Sequence, residues 1–434
     1  MKLGEKINNR SRIVKNVAFR FCVLYFSLYT LAGQLFGGVF LYPGLVPALG
    51  TRWPLRDITE WAAQRLFGAA PPLVYTGTSG DTLFHWVQTG LLLVLAAVGT
   101  AIWSVLDARR STYPTLEKWF RLYLRFALAA QMFYYGMAKV IPTQFPPPAL
   151  VTLVRPVGDL SLTDLLWVFV GASTAYQMVT GWAEMLAGLL LIVPRTAMLG
   201  ALIALADMVQ VFVLNMTYDF GLKQISLHLA LIALFLLAPD LGRLANVLVL
   251  NRPAEPSTQP ALLSTRRANR IALVAQMAFG AFLLVMFTNL SLRFYAADGG
   301  TGAPKSPLYG IWDVERLAVD GQVRLPQLND YDRRWRRVIF DFTDRMFFQR
   351  WDDSYAAYGV TVNEAQRTLA LTKGRSQTWQ SAFTYERPRP DRLILDGEMD
   401  GYRIRAELQL VERDTFRLLN SRFRWIRPPD PGGG

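Results

Sequence analysis

Seven apolar stretches, each long enough for a bilayer-crossing helix, run through the first 299 residues, and none follows. They lie near 13–38, 82–106, 117–140, 174–193, 196–214, 223–239 and 271–295. A spanning helix needs about 20 mostly apolar residues. In hydrocarbon only helices and closed barrels satisfy their own backbone. The first part of this 434-residue chain is therefore predicted to be a multi-pass helical bundle. Charge distribution marks where it stops. Residues 1–299 hold 24 Lys/Arg and 14 Asp/Glu, whereas residues 300–434 hold 22 and 19 in less than half the length. The tail has the charge density of a water-soluble domain.

Basic residues set the expected topology. Lys2, Lys6, Arg10, Arg12 and Lys15 precede the first stretch. That stretch is too long for a signal peptide, and no small-residue cleavage site follows, so it reads as an uncleaved anchor. The positive-inside rule places Arg109, Arg110, Lys118, Arg195, Arg243, Arg252, Arg266, Arg267 and Arg270 in the cytoplasm with the N-terminus. Seven crossings of an inner membrane satisfy all of these and put residues 299–434 in the periplasm or outside. The partition of the positive charge to membrane loops speaks against a nucleic-acid partner; the expected partner is the lipid bilayer.

The connections carry their own signals. Residues 53–68 alternate apolar and charged faces at helical spacing, and Trp53 and Trp61 suit an interfacial helix. Residues 142–163 are Pro-rich and too broken to span, so they read as an outer loop roofing the bundle. Residues 251–261 form a linker. The expected divisions are 1–112 (first helices and the interfacial helix), 113–245 (a four-helix core), 246–298 (linker and last helix) and 299–434.

The tail reads as all-β. Gly310-Ile311-Trp312 opens a strand; RRVIFDF, RMFFQRW, YGVTV, RTLALTK, SAFTYE and RLILDGEM follow at short intervals. Asp400-Gly401 is a two-residue hairpin signal. From Tyr402 to Leu410, apolar residues alternate with charged ones. FRLLNSRFRWI reads as a last strand. About nine antiparallel strands in this length imply a closed barrel, because closure removes exposed edges. The run Arg333, Arg334, Arg336, Arg337 reads as a solvated face.

Phe133-Tyr134-Tyr135-Gly136-Met137-Ala138-Lys139 resembles the aromatic–x–Gly–x–x–Lys signature of DoxX-like membrane proteins. Gly181-Trp182-Ala183-Glu184, followed by Gly188, resembles that family's next helix. The likeness covers about residues 115–245. The lysine motif is also similar to the membrane domain of vitamin-K-dependent carboxylases (the HTTM group), where the lysine is associated with quinol chemistry. The tail resembles the lipocalin/calycin barrel through Gly310-x-Trp312, with Arg422 or Arg424 as the late arginine over the tryptophan. The DoxX resemblance implies a component of a quinone-linked membrane redox system, with a redox partner subunit. Two other readings stand beside it: non-catalytic binding or transport of a lipophilic molecule, and a scaffold subunit for a periplasmic partner.

Charged residues inside a bilayer persist only when paired or wet, since each costs about 2.5–3.5 kcal/mol at helix centre. Lys139, Glu184 and Asp207 are the candidate catalytic residues. Arg125, Tyr135, Gln177, Tyr218, Asp219, Lys223 and His228 are candidate ligand-binding residues. Arg125, Met132 and Lys139 share one helix face; Gln177, Glu184 and Gly188 share another. If both faces turn inward, they form a polar pocket. There a desolvated Lys139 amine is a base, and a quinone enters from the lipid. The competing reading has Lys139 paired with a carboxylate that locks the bundle, or snorkelling to the interface. Asp219 and Lys223 can equally cap helices or pair with each other. One cysteine, Cys22, and two histidines exclude a dithiol relay and a His-rich metal site.

Overall fold

The computed structural model describes residues 2–35, 49–73, 80–110, 112–256, 261–297, 304–326, 334–373, 378–420 and 425–426. Each apolar stretch becomes a helix. They are α1 (Lys2–Ala32), α3 (Leu83–Leu106), α4 (Pro114–Val140), α7 (Thr174–Ile192), α8 (Ala197–Thr217), α9 (Lys223–Leu237) and α11 (Arg266–Ala297), with α2 (Leu55–Phe67) between the first two. A short 3-10 turn joins α9 to α10 (Leu241–Leu248), making one 26-residue apolar rod. Among the described residues, five helices are both long and apolar enough to cross a membrane: α3, α7, α8, α9 with α10, and α11. Their outer faces are apolar and exposed, as with Val94, Val98, Ile102, Val105 and Leu106 on α3. Such surface fits lipid, not water. The protein is membrane-associated.

α1 and α4 match the other two expected crossings in length but carry more charge. α4 tolerates this because it is central: every residue from Phe126 to Phe133 is buried. A helix enclosed by other helices need not be apolar toward lipid. Pro114 opens its first turn, where no backbone donor is needed. The expected amphipathic helix is α2. It buries Ala62 and Ala63 against Val87 of α3 and leaves Trp53 and Trp61 exposed. Gly68, in the left-handed region, ends it by donating to Ala63 and Gln64 carbonyls.

The chain divides into two compact units: residues 1–144 with 175–294, and residues 145–174 with 295–434. The second contains nine strands: β1 (Gly310–Val319), β2 (Gln322–Arg324), β3 (Trp335–Phe340), β4 (Arg345–Arg350), β5 (Tyr355–Asn363), β6 (Thr368–Lys373), β7 (Trp379–Arg389), β8 (Arg392–Met399) and β9 (Tyr402–Leu410). β1, β3 and each later strand pair antiparallel in sequence order, and β9 pairs back with β1, from Trp312↔Leu410 to Val319↔Ile404. Eight strands thus close a barrel, with β2 hanging on the end of β1. Asp400 and Gly401 have φ of 54° and 80°, the paired positive values of a tight hairpin turn.

The barrel is filled. Trp312, Phe340, Phe348, Leu369, Leu371, Phe383, Leu393 and Leu408 are each 2% exposed or less. Trp312 donates its indole N–H to the Leu308 carbonyl at 3.0 Å, and Arg387 stacks over its ring at 5.6 Å. Arg422 and Arg424, expected in that place, lie outside the described residues, as does Arg333. Arg334, expected on a solvated face, is 1% exposed and donates to the Val314 and Trp335 carbonyls. The expected last strand is absent from its described part: Arg417–Asn420 is a short helix, α12. Closure through β9 leaves no edge for it to join.

The second departure concerns the Pro-rich segment. It was expected over the bundle and within the 113–245 core, but residues 145–174 pack with the barrel. They hold α5 (Leu150–Leu153) and α6 (Leu162–Gly171). Leu150, 1% exposed, seats against Ile311 and Ile339 on the barrel's outer wall. The Asp341 carboxylate accepts the Val151 N–H at 3.3 Å, and Gln349 donates to the Val154 carbonyl. Ser161 and Asp164 form a reciprocal capping box that starts α6. Alternation on β3 explains the fit: Val338 and Phe340 face in, so Ile339 faces out and requires cover.

Candidate active site

Two glycines bring α4 and α7 together. A Cβ on Gly181 would lie 2.7 Å from the Gly136 carbonyl oxygen and 2.9 Å from the Val140 nitrogen. Only glycine allows so close an approach, which is how membrane helices pack without a hydrophobic drive. One turn further on each helix stand Lys139 and Glu184. The Lys139 Nζ donates to Glu184 Oε1 at 2.6 Å. Lys139 is 8% exposed and Glu184 is 1% exposed. The pair is largely removed from solvent, so the charges hold one another.

The pair leaves groups over. Glu184 Oε2 and, on α8, Asp207 Oδ2 are buried without a hydrogen-bond partner among the described residues. Asp207 lies within electrostatic reach of both Glu184 and Lys139. The candidate catalytic residues are thus one ion pair, Lys139–Glu184, and a further carboxyl, Asp207, on α8. The Tyr135 ring lies 5.9 Å from Lys139 Nζ, and Gln177 is buried on the α7 face that carries Glu184.

The remaining candidates sit elsewhere. Arg125 is 14 residues before Lys139, about 21 Å along the helix axis, and donates to Gln276 of α11. It joins two helices and is not part of the site. His228 Nδ1 bonds the Gln224 carbonyl at 2.6 Å; a carbonyl only accepts, so the proton is on Nδ1. Nε2 then accepts the Tyr25 hydroxyl at 2.6 Å, and Tyr29 stacks on the ring at 3.7 Å. This histidine is satisfied within the core. Lys223 pairs with Asp219 at 2.8 Å in the turn after α8, close to Tyr218. That hydrogen bond holds the exposed Asp219 carboxyl below its ordinary range. Asp81 accepts the backbone N–H groups of Lys223 (2.7 Å) and Gln224 (3.0 Å), capping α9. These are structural roles.

The structure also adds residues that the motif reading passed over. Gln34, just beyond the end of α1, donates to Gln131 Oε1 at 2.8 Å and to the Tyr135 hydroxyl at 2.9 Å. A cavity of about 30 Å³ is lined by Tyr29, Gln34, His85, Gln88, Thr89 and Gln224, among others. Glutamines inside apolar spans were the available signal, since polar groups at membrane depth mark function or pairing.

Against known proteins, one similarity stands out. Over 132 residues, 30% of this chain and 81% of the relative, the sequence is 33% identical to the uncharacterized protein YwoB of Bacillus subtilis (strain 168). No family model and no solved structure matches the chain.

Proposed function

The chain belongs to the family of YwoB, and we propose that it is a membrane acid–base centre serving a quinone-linked redox system. One observation carries this reading: the buried Lys139–Glu184 pair with Glu184 Oε2 and Asp207 Oδ2 left over. Two carboxylates and one ammonium sum to one net negative charge. An unsatisfied carboxylate oxygen in a low-dielectric interior costs several kcal/mol. One further proton neutralises the trio, so the group is built to hold a proton and release it. The Lys139 ammonium has hydrogens to offer a quinone carbonyl; the spare carboxyl oxygens can accept from a hydroxyl. The residues present thus fit a quinone headgroup. A bound quinone would supply the two-electron chemistry. Its electrons would come from a reductant or partner subunit, since Cys22 alone gives no dithiol relay. In this reading seven helices cross the inner membrane, the N-terminus is cytoplasmic and the barrel is extracytoplasmic, as the basic loops indicate.

The filled barrel favours the scaffold reading for that domain over carriage of a lipophile: its interior is occupied by its own side chains. The test is extraction of protein purified in mild detergent, followed by mass spectrometry. The expected result is about one quinone per chain, lost in a Lys139→Met, Glu184→Met double variant that still folds. No quinone, with none taken up from added ubiquinone or menaquinone, sinks the redox reading.

A further inference from the structure

α4 and α11 run side by side in the same direction. The rings of Phe126 and Phe279 meet at 5.3 Å, and further along both helices those of Tyr134 and Phe287 meet at 5.8 Å. At the start of this seam sits a charge without a counter-charge. Arg125 is half-buried there. It donates to the Gln276 amide oxygen of α11, and its Nε is buried with no partner among the described residues. The Phe126 ring, 5.4 Å away, offers only a π face. The neighbouring charge that acts on Arg125 is another cation, Arg121, one turn earlier. Arg121 has Glu117 and Asp240 within reach and gives its hydrogens to the Phe235 and Leu236 carbonyls. Among the described residues, no carboxylate pairs with Arg125. An arginine stays protonated at neutral pH, and a charge held away from water needs an opposite one. Gln276 supplies none.

The surroundings indicate which anion fits. Lys118, Arg121 and Arg125 share one face of α4 at three- and four-residue steps. Lys118 holds the Ala261 and Leu262 carbonyls just ahead of α11, whose first turns expose Arg266, Arg267 and Arg270. Trp119, half exposed beside Lys118, is the kind of side chain that marks a membrane–water boundary. Arg125 lies about 9 Å deeper along the helix. Helical side chains lean back toward the N-terminus, so its guanidinium reaches toward headgroup depth. Along α11, Ile271, Val274 and Phe282 are exposed and apolar, a surface for acyl chains.

We propose that the seam between α4 and α11 binds one anionic phospholipid, its phosphate on the Arg125 guanidinium and its chains along α11. The guanidinium fork matches a pair of phosphate oxygens. The headgroup must be net negative, because the ammonium of a zwitterionic lipid meets the cations Lys118, Arg121 and Arg270. The bound lipid neutralises Arg125 and joins α11 to the central helix. The site lies apart from the Lys139–Glu184 pair and stands without the redox reading.

The test uses the full-length protein, stripped of lipid in detergent and titrated with phosphatidylglycerol or phosphatidylcholine of identical chains. Bound lipid is counted by native mass spectrometry. Phosphatidylglycerol binds about tenfold tighter or more, the worth of one charge-assisted contact, and Arg125→Gln removes that preference. Arg109→Gln, at an exposed basic residue outside the seam, keeps it. Gln276→Glu gives Arg125 an internal carboxylate. That variant also loses the preference, and in an SDS titration it is at least as stable as the lipid-free parent. Equal affinity for the two lipids in the unaltered protein overturns the site, as does a preference that survives Gln276→Glu. A loss in Arg109→Gln as large as in Arg125→Gln overturns it too, since the basic end then acts as a diffuse field. A Gln276→Glu protein less stable than the parent shows that Arg125 lacks no counter-charge. Displacement of phosphatidylglycerol by an equal concentration of oleate assigns Arg125 a fatty-acid carboxylate and overturns the phospholipid.

Discussion

Breaking the Lys139–Glu184 pair from one side should be far more damaging than removing it whole. At 2.6 Å and an effective dielectric of about 20, the gross attraction is roughly 6 kcal/mol. Desolvating each ion costs several kcal/mol, so the intact pair is nearly neutral against apolar residues of similar volume. Lys139→Met leaves Glu184, 1% exposed, with neither oxygen paired, and Glu184→Met leaves a buried ammonium. Each single variant should lose about 3–5 kcal/mol, the range for a half-broken buried pair. The double variant should recover to within about 1 kcal/mol of the unaltered protein. The assay is equilibrium unfolding in mixed micelles with a rising fraction of SDS, followed by circular dichroism. Single variants within about 0.5 kcal/mol of the starting protein would show that the charges are hydrated. A double variant as unstable as the sum of the singles would show that they are not partners. Recovery yields a folded chain without the acid–base centre, which the quinone-binding test requires.

Three further outcomes are expected. Gly181→Ala drives a Cβ to 2.7 Å from the Gly136 carbonyl and should cost about 1–3 kcal/mol by overpacking; Gly90→Ala, with open space around it, should be neutral in the same SDS titration, and equal effects would discount the close crossing. Leu150→Ala empties the contact with Ile311 and Ile339; a loss of about 2 kcal/mol or more predicts backbone amide exchange in α5 at least about 30-fold faster, and unchanged exchange would mean the segment is held elsewhere. The Asp341 carboxyl is raised by burial, against the opposing pull of the Leu150 and Val151 N–H groups and Arg413. Its contribution is therefore present in full below the ordinary carboxylate value and lost as pH rises through the raised one. The barrel's unfolding midpoint should carry that slope, and Asp341→Asn should flatten it; an identical slope in the variant refutes the assignment.

Much of the fold was legible because it follows from local rules. The helices end within a few residues of the hydropathy limits, apart from extended ends on α1 and α11. Alternation and Asp400-Gly401 located β8 and β9. The site was legible in part. Lys139 and Glu184 were readable at helical spacing, Gly136 and Gly181 only as parts of the motifs that carry the family resemblance, and the structure brings the four together. Arg125 shares the Lys139 face by the same spacing, yet a face says nothing of depth, and Arg125 meets Gln276 instead. The polar chain through Gln34 and Gln131 was illegible because its members lie 97 residues apart.

The amino-acid pattern alone determined that an apolar bundle precedes a closed β-barrel, since hydrophobic period and charge density are properties of short windows. Tertiary structure decided what those windows meet. It paired Lys139 with Glu184, satisfied His228 inside the core, and filled the barrel with its own side chains. It also carried residues 145–174 to the barrel wall. The reason is physical: burying a charge or an outward-facing isoleucine is costly until a partner covers it, and the partner can lie anywhere in the chain.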